Sequence, residues 1–170
     1  MIEPFNLSIA ETSREIRKRQ LSPVILAKSL LQRIQELEPI LKAWVTVDKE
    51  GVLAEALQAE RELEQSGPKG LLHGIPLGIK DIFYTQGMKT TACSTINSDF
   101  VPAYDATAVA KLKKAGALVL GKTVTTQFAA GDPSPTINPW NPAHTPGGSS
   151  SGSAAAVAAR MCPGALGSQT

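Results

Sequence analysis

Two stretches of this chain hold residues whose types and order could do chemistry. The first is Gly74-Ile75-Pro76-Leu77-Gly78-Ile79-Lys80-Asp81. An apolar run with interspersed glycines reads as a buried strand, and this one ends in a lysine. A lysine at a strand end is usually just solvated, because a lone ammonium is almost never fully buried. Here the glycines let other backbone approach closely, so Lys80 can be drawn out of water. Desolvation disfavours the ammonium, and a neutral amine is a base. Bringing a lysine from about 10.4 to about 7 means roughly 4 kcal/mol against its charged form.

The second stretch is Thr145-Pro146-Gly147-Gly148-Ser149-Ser150-Ser151-Gly152-Ser153. A Gly/Ser linker would have polar, low-complexity sequence on both sides. This stretch instead runs straight into Ala154-Ala155-Ala156-Val157-Ala158-Ala159, a strong helix former. Serines crowding a helix N-terminus meet unpartnered amides and the positive end of the helix dipole. That is a place for an anion, an oxyanion or a special turn.

A third stretch is a false lead. Residues 116–123 read G-A-L-V-L-G-K-T, a formal match to the phosphate-binding G-x-x-x-x-G-K-[ST]. That motif works through a loop whose amides cradle phosphate. Here the four variable residues are Ala-Leu-Val-Leu, a core strand. The first glycine ends a helix instead of following a strand. The residues after Lys122 are β-branched and open a helix poorly.

The elements that must position these residues alternate between helix and strand, so the fold class is α/β. Ser22-Pro23 starts a helix with a capping hydroxyl and a first-turn proline. Val24, Ala27, Leu31, Ile34 and Leu37 form its apolar stripe, and Pro39 is expected to end it. Residues 43–47 are rich in strand formers. A second amphipathic helix carries Val52, Ala56, Ala59 and Leu63 on one face and stops at Ser66-Gly67-Pro68. Residues 71–79 read as a strand. Asp105 is expected to cap a helix over 107–115, and Gly116 to end it. Residues 117–120 make a short core strand, 131–148 a long loop or linker, 152–160 a small-residue helix, and 165–167 a last strand.

Composition excludes several functions. The 170 residues are 42% hydrophobic with a formal net charge of +2, too small for a nucleic-acid footprint. Lys111, Lys113 and Lys114 read as one solvated helix face. No apolar run approaches the roughly 18 to 20 residues of a membrane span, and the N-terminus lacks a signal-peptide pattern. Cys93 and Cys162 fit no disulfide framework or metal spacing. His73 and His144 lie far apart. No metal and no cofactor is expected, and a reducing, cytoplasmic setting fits best.

Taken together, these residues resemble the amidase signature family of serine hydrolases. The likeness covers roughly residues 71–170. It includes the stretch ending in Lys80-Asp81, Thr90-Thr91 with Ser94, residues 105–116 and Gly121-Lys122-Thr123. It continues through Asn138-Pro139-Trp140-Asn141-Pro142, residues 145–159 and Ala165-Leu166-Gly167-Ser168-Gln169-Thr170. Each piece is weak; their number, order and spacing are specific. The resemblance implies a mixed β-sheet core between helices, incomplete in this chain. Residues 1–66 would be an N-terminal helical region packing on that core. Residues 67–170 would be its first part, stopping short of the nucleophile.

The family uses a Ser–Ser–Lys triad. Position by position, Lys80 corresponds to the base and Ser149 to the bridging serine, whose preceding peptide is cis in family members. The nucleophile lies in a Gly-Gly-Ser that follows the counterpart of Ser168-Gln169-Thr170. The resemblance puts the Thr170 amide at the oxyanion hole, with Ser150 and Ser168 beside the site. Two departures are Cys93, where relatives often carry glycine, and Ser168, where many carry threonine.

The implied function is hydrolysis of a small-molecule carboxylic amide to acid and ammonia or amine, with no direct nucleic-acid partner and no membrane. These residues alone are expected to be inactive. A homo-oligomer is allowed, since the open edges of an incomplete sheet favour self-association. Two alternatives stay open. One is the glutamine-hydrolysing component of a tRNA-dependent amidotransferase, its A subunit, working for a partner subunit. The other is a non-catalytic remnant acting as a binding module.

Overall fold

Capped and patterned segments in the first third form three helices and a strand. The computed structural model describes residues 3–169. Helix α1 (Ile9–Arg17) opens with a reciprocal cap between Ser8 and Glu11. Helix α2 (Pro23–Leu41) starts where Ser22 Oγ accepts the Val24 and Ile25 amides. Pro39 does not end it. Proline removes one helical N–H, but Lys42 N still donates to Glu38 O at 3.0 Å, and the Glu38 carboxylate takes the Ala43 and Trp44 amides. Lys42 then turns the chain in the left-handed region. The buried face of α2 is Leu26, Ala27, Leu30 and Ile34, so Val24, Leu31 and Leu37 lie at its margin.

Strand β1 (Trp44–Val47) follows, then helix α3 (Lys49–Ser66), which buries Val52, Ala56, Ala59 and Leu63 as its spacing requires. Strand β2 is Pro76–Lys80, shorter than the expected run, because residues 71–74 form a turn. Helix α4 is Thr107–Lys114. Asp105 does not cap it; its carboxylate instead holds the Gln86 amide at 2.8 Å and pairs with Lys113 at 2.8 Å. Strand β3 (Leu118–Thr123) is longer than expected and takes in Gly121, Lys122 and Thr123. Helix α5 is Ser151–Ala158 and strand β4 is Ala165–Leu166.

Among the described residues the strands form one mixed sheet in the order β1-β3-β2-β4, lying between helices. β1 runs antiparallel to β3, and β2 runs parallel to both β3 and β4. Every residue of β2 and β3 is buried. The main core joins α2, α3 and α5 to Leu77, Leu118 and Leu120. A smaller cluster of Ile79, Val109 and Val119 lies with α4. Gly152 lets α5 reach the sheet: its amide donates to Val124 O at 2.9 Å, and a Cβ there would fall on the Ala43 carbonyl and the Val124 amide. Among the described residues no helix is long and apolar enough to cross a membrane.

Candidate active site

Parallel pairing puts Lys80 opposite Thr123 at the C-terminal ends of β2 and β3, where α5 begins. Lys80 is fully buried, and burial pushes its pKa below the ordinary lysine value. Its Nζ donates to Ser149 Oγ at 2.6 Å and to Ser168 Oγ at 2.7 Å. The three groups come from β2, from the turn before α5 and from the segment after β4. Their convergence is a product of the sheet order, since the two serines lie 69 and 88 positions from Lys80.

The Gly148–Ser149 peptide is cis. Ser149 O accepts the Thr126 amide at 3.1 Å, which ties the turn to the segment after β3. Ser150 closes the other side. Its hydroxyl accepts the Ser168 amide and donates to the Ser168 carbonyl, each at 3.1 Å. Ser153 Oγ adds a bond to Leu166 O at 3.1 Å and another with Thr123 Oγ1 at 2.7 Å. Residues 166–168 are thereby laced along the start of α5. Ser168 points its hydroxyl at Lys80, and its backbone serves Ser150.

A cavity of about 830 Å³ opens beside these groups, lined by Thr126, Ala130, Ser134, Gly147, Ser149 and Ser168 among others. Among the described residues no three His, Cys, Asp or Glu side chains gather as a metal site. Thr170, expected at the oxyanion hole, lies outside the described residues.

A model of the amidase family matches residues 26–170. The chain belongs to the amidase family. The A subunit of glutamyl-tRNA(Gln) amidotransferase from Geobacter metallireducens is 45% identical over 175 residues, covering 99% of this chain and 36% of its own length. Its namesake from an Azoarcus species is 47% identical over 172 residues, 98% of this chain and 35% of its length. Among solved structures, the peptide amidase of Stenotrophomonas maltophilia superposes with a TM-score of 0.86 at 36% identity, over 92% of this chain and 35% of that one. The chain thus spans a little over a third of the curated amidase relatives it matches.

One buried pair in this amidase core escaped sequence reasoning. Lys122 lies in β3, so the phosphate-motif lookalike is a strand with no cradle. Its Nζ stands 3.2 Å from Asp81 Oδ1 and donates to Phe83 O and Thr90 Oγ1. Asp81 Oδ2 in turn accepts from the amide and hydroxyl of Thr91. Lys80 and Asp81 are sequence neighbours, yet the lysine serves the serines and the aspartate serves Lys122. The available signal was a second apolar run, residues 117–120, that also leads to a lysine.

Proposed function

We propose that the full-length protein hydrolyses a carboxylic amide, with Lys80 as base and Ser149 as proton relay. The observation that carries this reading is the 2.6 Å contact between a fully buried Lys80 and Ser149. A neutral amine has two N–H groups and one lone pair. The neutral amine keeps one N–H on Ser168, and a turn about the Cε–Nζ bond replaces the N–H that Ser149 accepts with the lone pair, which then takes the Ser149 proton. The nucleophile is the serine of the family's Gly-Gly-Ser, which follows the counterpart of residues 168–170.

In the first step the nucleophile's oxygen bonds to the amide carbon. Its proton passes to Ser149 Oγ as the Ser149 proton moves to Lys80 Nζ. When the tetrahedral intermediate collapses, the carbon–nitrogen bond breaks. A proton returns from Lys80 through Ser149 to the departing nitrogen. Water then cleaves the acyl-enzyme along the same path and restores the serine.

Lys80→Ala and Ser149→Ala in the full-length protein are each expected to lower kcat/KM for an amide by several orders of magnitude. Near-normal turnover by either variant overturns the assignment. Glutamine is one substrate to test first, because the curated relatives are named as the A subunit of glutamyl-tRNA(Gln) amidotransferase. A C-terminally amidated peptide is the other, from the likeness to a peptide amidase. Release of ammonia from glutamine and not from the peptide favours the amidotransferase component. The reverse favours a free-standing amidase.

A further inference from the structure

Ser151 is fully buried at the first turn of α5, two positions after Ser149. Its hydroxyl stands 2.7 Å from Ser134 Oγ, across 17 positions of sequence. Ser134 Oγ lies 3.0 Å from Thr136 Oγ1 and also accepts the Thr136 amide at 3.1 Å. Thr136 Oγ1 donates to Lys42 O at 2.8 Å, at the C-terminal end of α2. A carbonyl can only accept, so this last bond sets the direction of the whole chain. Thr136 gives its proton to Lys42, Ser134 to Thr136, and Ser151 to Ser134. The hydroxyls therefore form one directed row from the catalytic helix to α2.

This row anchors one wall of the cavity. Residues 130–134 line it, and Gly131, Asp132 and Pro133 between the ends are exposed. At the near end, Thr126 Oγ1 donates to Ala130 O, and Thr126 itself holds Ser149 O through its amide. At the far end, Ser151 supplies the side-chain bond that ties Ser134 to α5. Ile137 N continues the anchor by donating to Leu41 O at 2.8 Å.

We propose that Ser151 is a positioning residue, which fixes the 130–134 wall through Ser134 and so limits the size of the amide admitted beside Ser149. The size limit rests on the amidase reading above; the anchoring does not. Without the Ser151 hydroxyl, Ser134 loses its tie to α5, and the far end of the wall is held only through Thr136 and Ile137 to the end of α2. Bulky substrates gain room that small ones do not need, so the two classes of amide respond unequally.

The experiment compares Ser151→Ala and Ser134→Ala with the unsubstituted full-length protein in two readouts. The first is amide hydrogen exchange at Thr136 and Ile137. The second is the ratio of kcat/KM for benzamide against acetamide. Faster exchange at both amides is expected in each variant. The ratio is expected to move about tenfold toward benzamide, through KM. Unchanged exchange overturns the anchoring. An equal loss on both amides overturns the size limit, because a merely structural role lowers all rates alike. If the unsubstituted protein hydrolyses neither amide, the amidase reading and the size limit fall, and exchange decides the anchoring alone.

Discussion

Lys122 Nζ lies 3.2 Å from Asp81 Oδ1, and neither side chain is exposed to solvent. Removing one member of such a pair leaves an uncompensated buried charge, which costs about 3 to 5 kcal/mol. Lys122→Met and Asp81→Asn are each expected to destabilise by about that much. The double variant should cost less than the sum by more than about 1 kcal/mol. Urea unfolding midpoints measure all three. Strictly additive costs would show that the two groups do not act as a pair.

Lys80 gives a pH dependence with a definite sign. Burial lowers its pKa in the folded state, so between that value and about 10.4 the unfolded chain binds more protons. Its contribution to stability is full above about pH 10.4 and is lost as pH falls through the folded value. Lys122 adds to the same slope, since burial lowers its pKa against the upward pull of Asp81. Lys80→Met should therefore flatten the rise of stability with alkaline pH without abolishing it. An unchanged slope in unfolding measured from about pH 7 to 10 would contradict the burial of Lys80.

Ser168 and Ser149 should separate kinetically. Each accepts from Lys80, and a donor bond favours the charged amine. Ser168→Ala removes one such acceptor, so the Lys80 pKa falls further. In the full-length protein the ascending limb of kcat against pH should move to lower pH, with the rate reduced far less than in Ser149→Ala. Ser168→Thr keeps the hydroxyl and should leave the limb in place. A shift to higher pH in Ser168→Ala would rule out this role.

Gly152 is where α5 meets the sheet backbone. Gly152→Ala drives a methyl into the Ala43 carbonyl and the Val124 amide. Overpacking of this kind costs about 1 to 3 kcal/mol, and here it also stretches the Gly152 N–Val124 O bond. A thermal midpoint equal to that of the unsubstituted protein would show that the helix can slide aside.

The two cysteines should differ in reactivity. Cys162 is buried, and burial pushes its thiol up to about 12. Cys93 is half-buried and also raised by burial. A thiolate-selective reagent at about pH 8 should leave Cys162 untouched until the protein is unfolded. Labelling of Cys162 in the native state would show that the β2–β4 side of the fold opens readily.

Much of the fold is legible along the chain because it depends on neighbours in sequence. The Ser22 cap, the stripe of Val52, Ala56, Ala59 and Leu63, and the apolar run into Lys80 are local patterns. Local signals mislead where another group decides the outcome. Pro39 reads as a stop, but the Glu38 carboxylate gathers the following amides and lets α2 run on. Asp105 reads as a cap, but the Gln86 amide and Lys113 take its carboxylate.

The sequence by itself determined the α/β class, the buried end of β2 and the serine-rich entry to α5, since periodicity and capping act over a few residues. The resemblance to the amidase signature family, carried by the order of those motifs, pointed to Lys80 and Ser149 as candidates. Only the tertiary structure decided which hydroxyls Lys80 meets, that Asp81 turns to Lys122, and that Ser151 reaches Ser134. The hydroxyl contacts span 17 to 88 positions, and the Asp81–Lys122 pair depends on the register of β2 against β3. Hydrogen bonds and ion pairs need partners within about 3 Å, and only the packed sheet brings such distant groups that close.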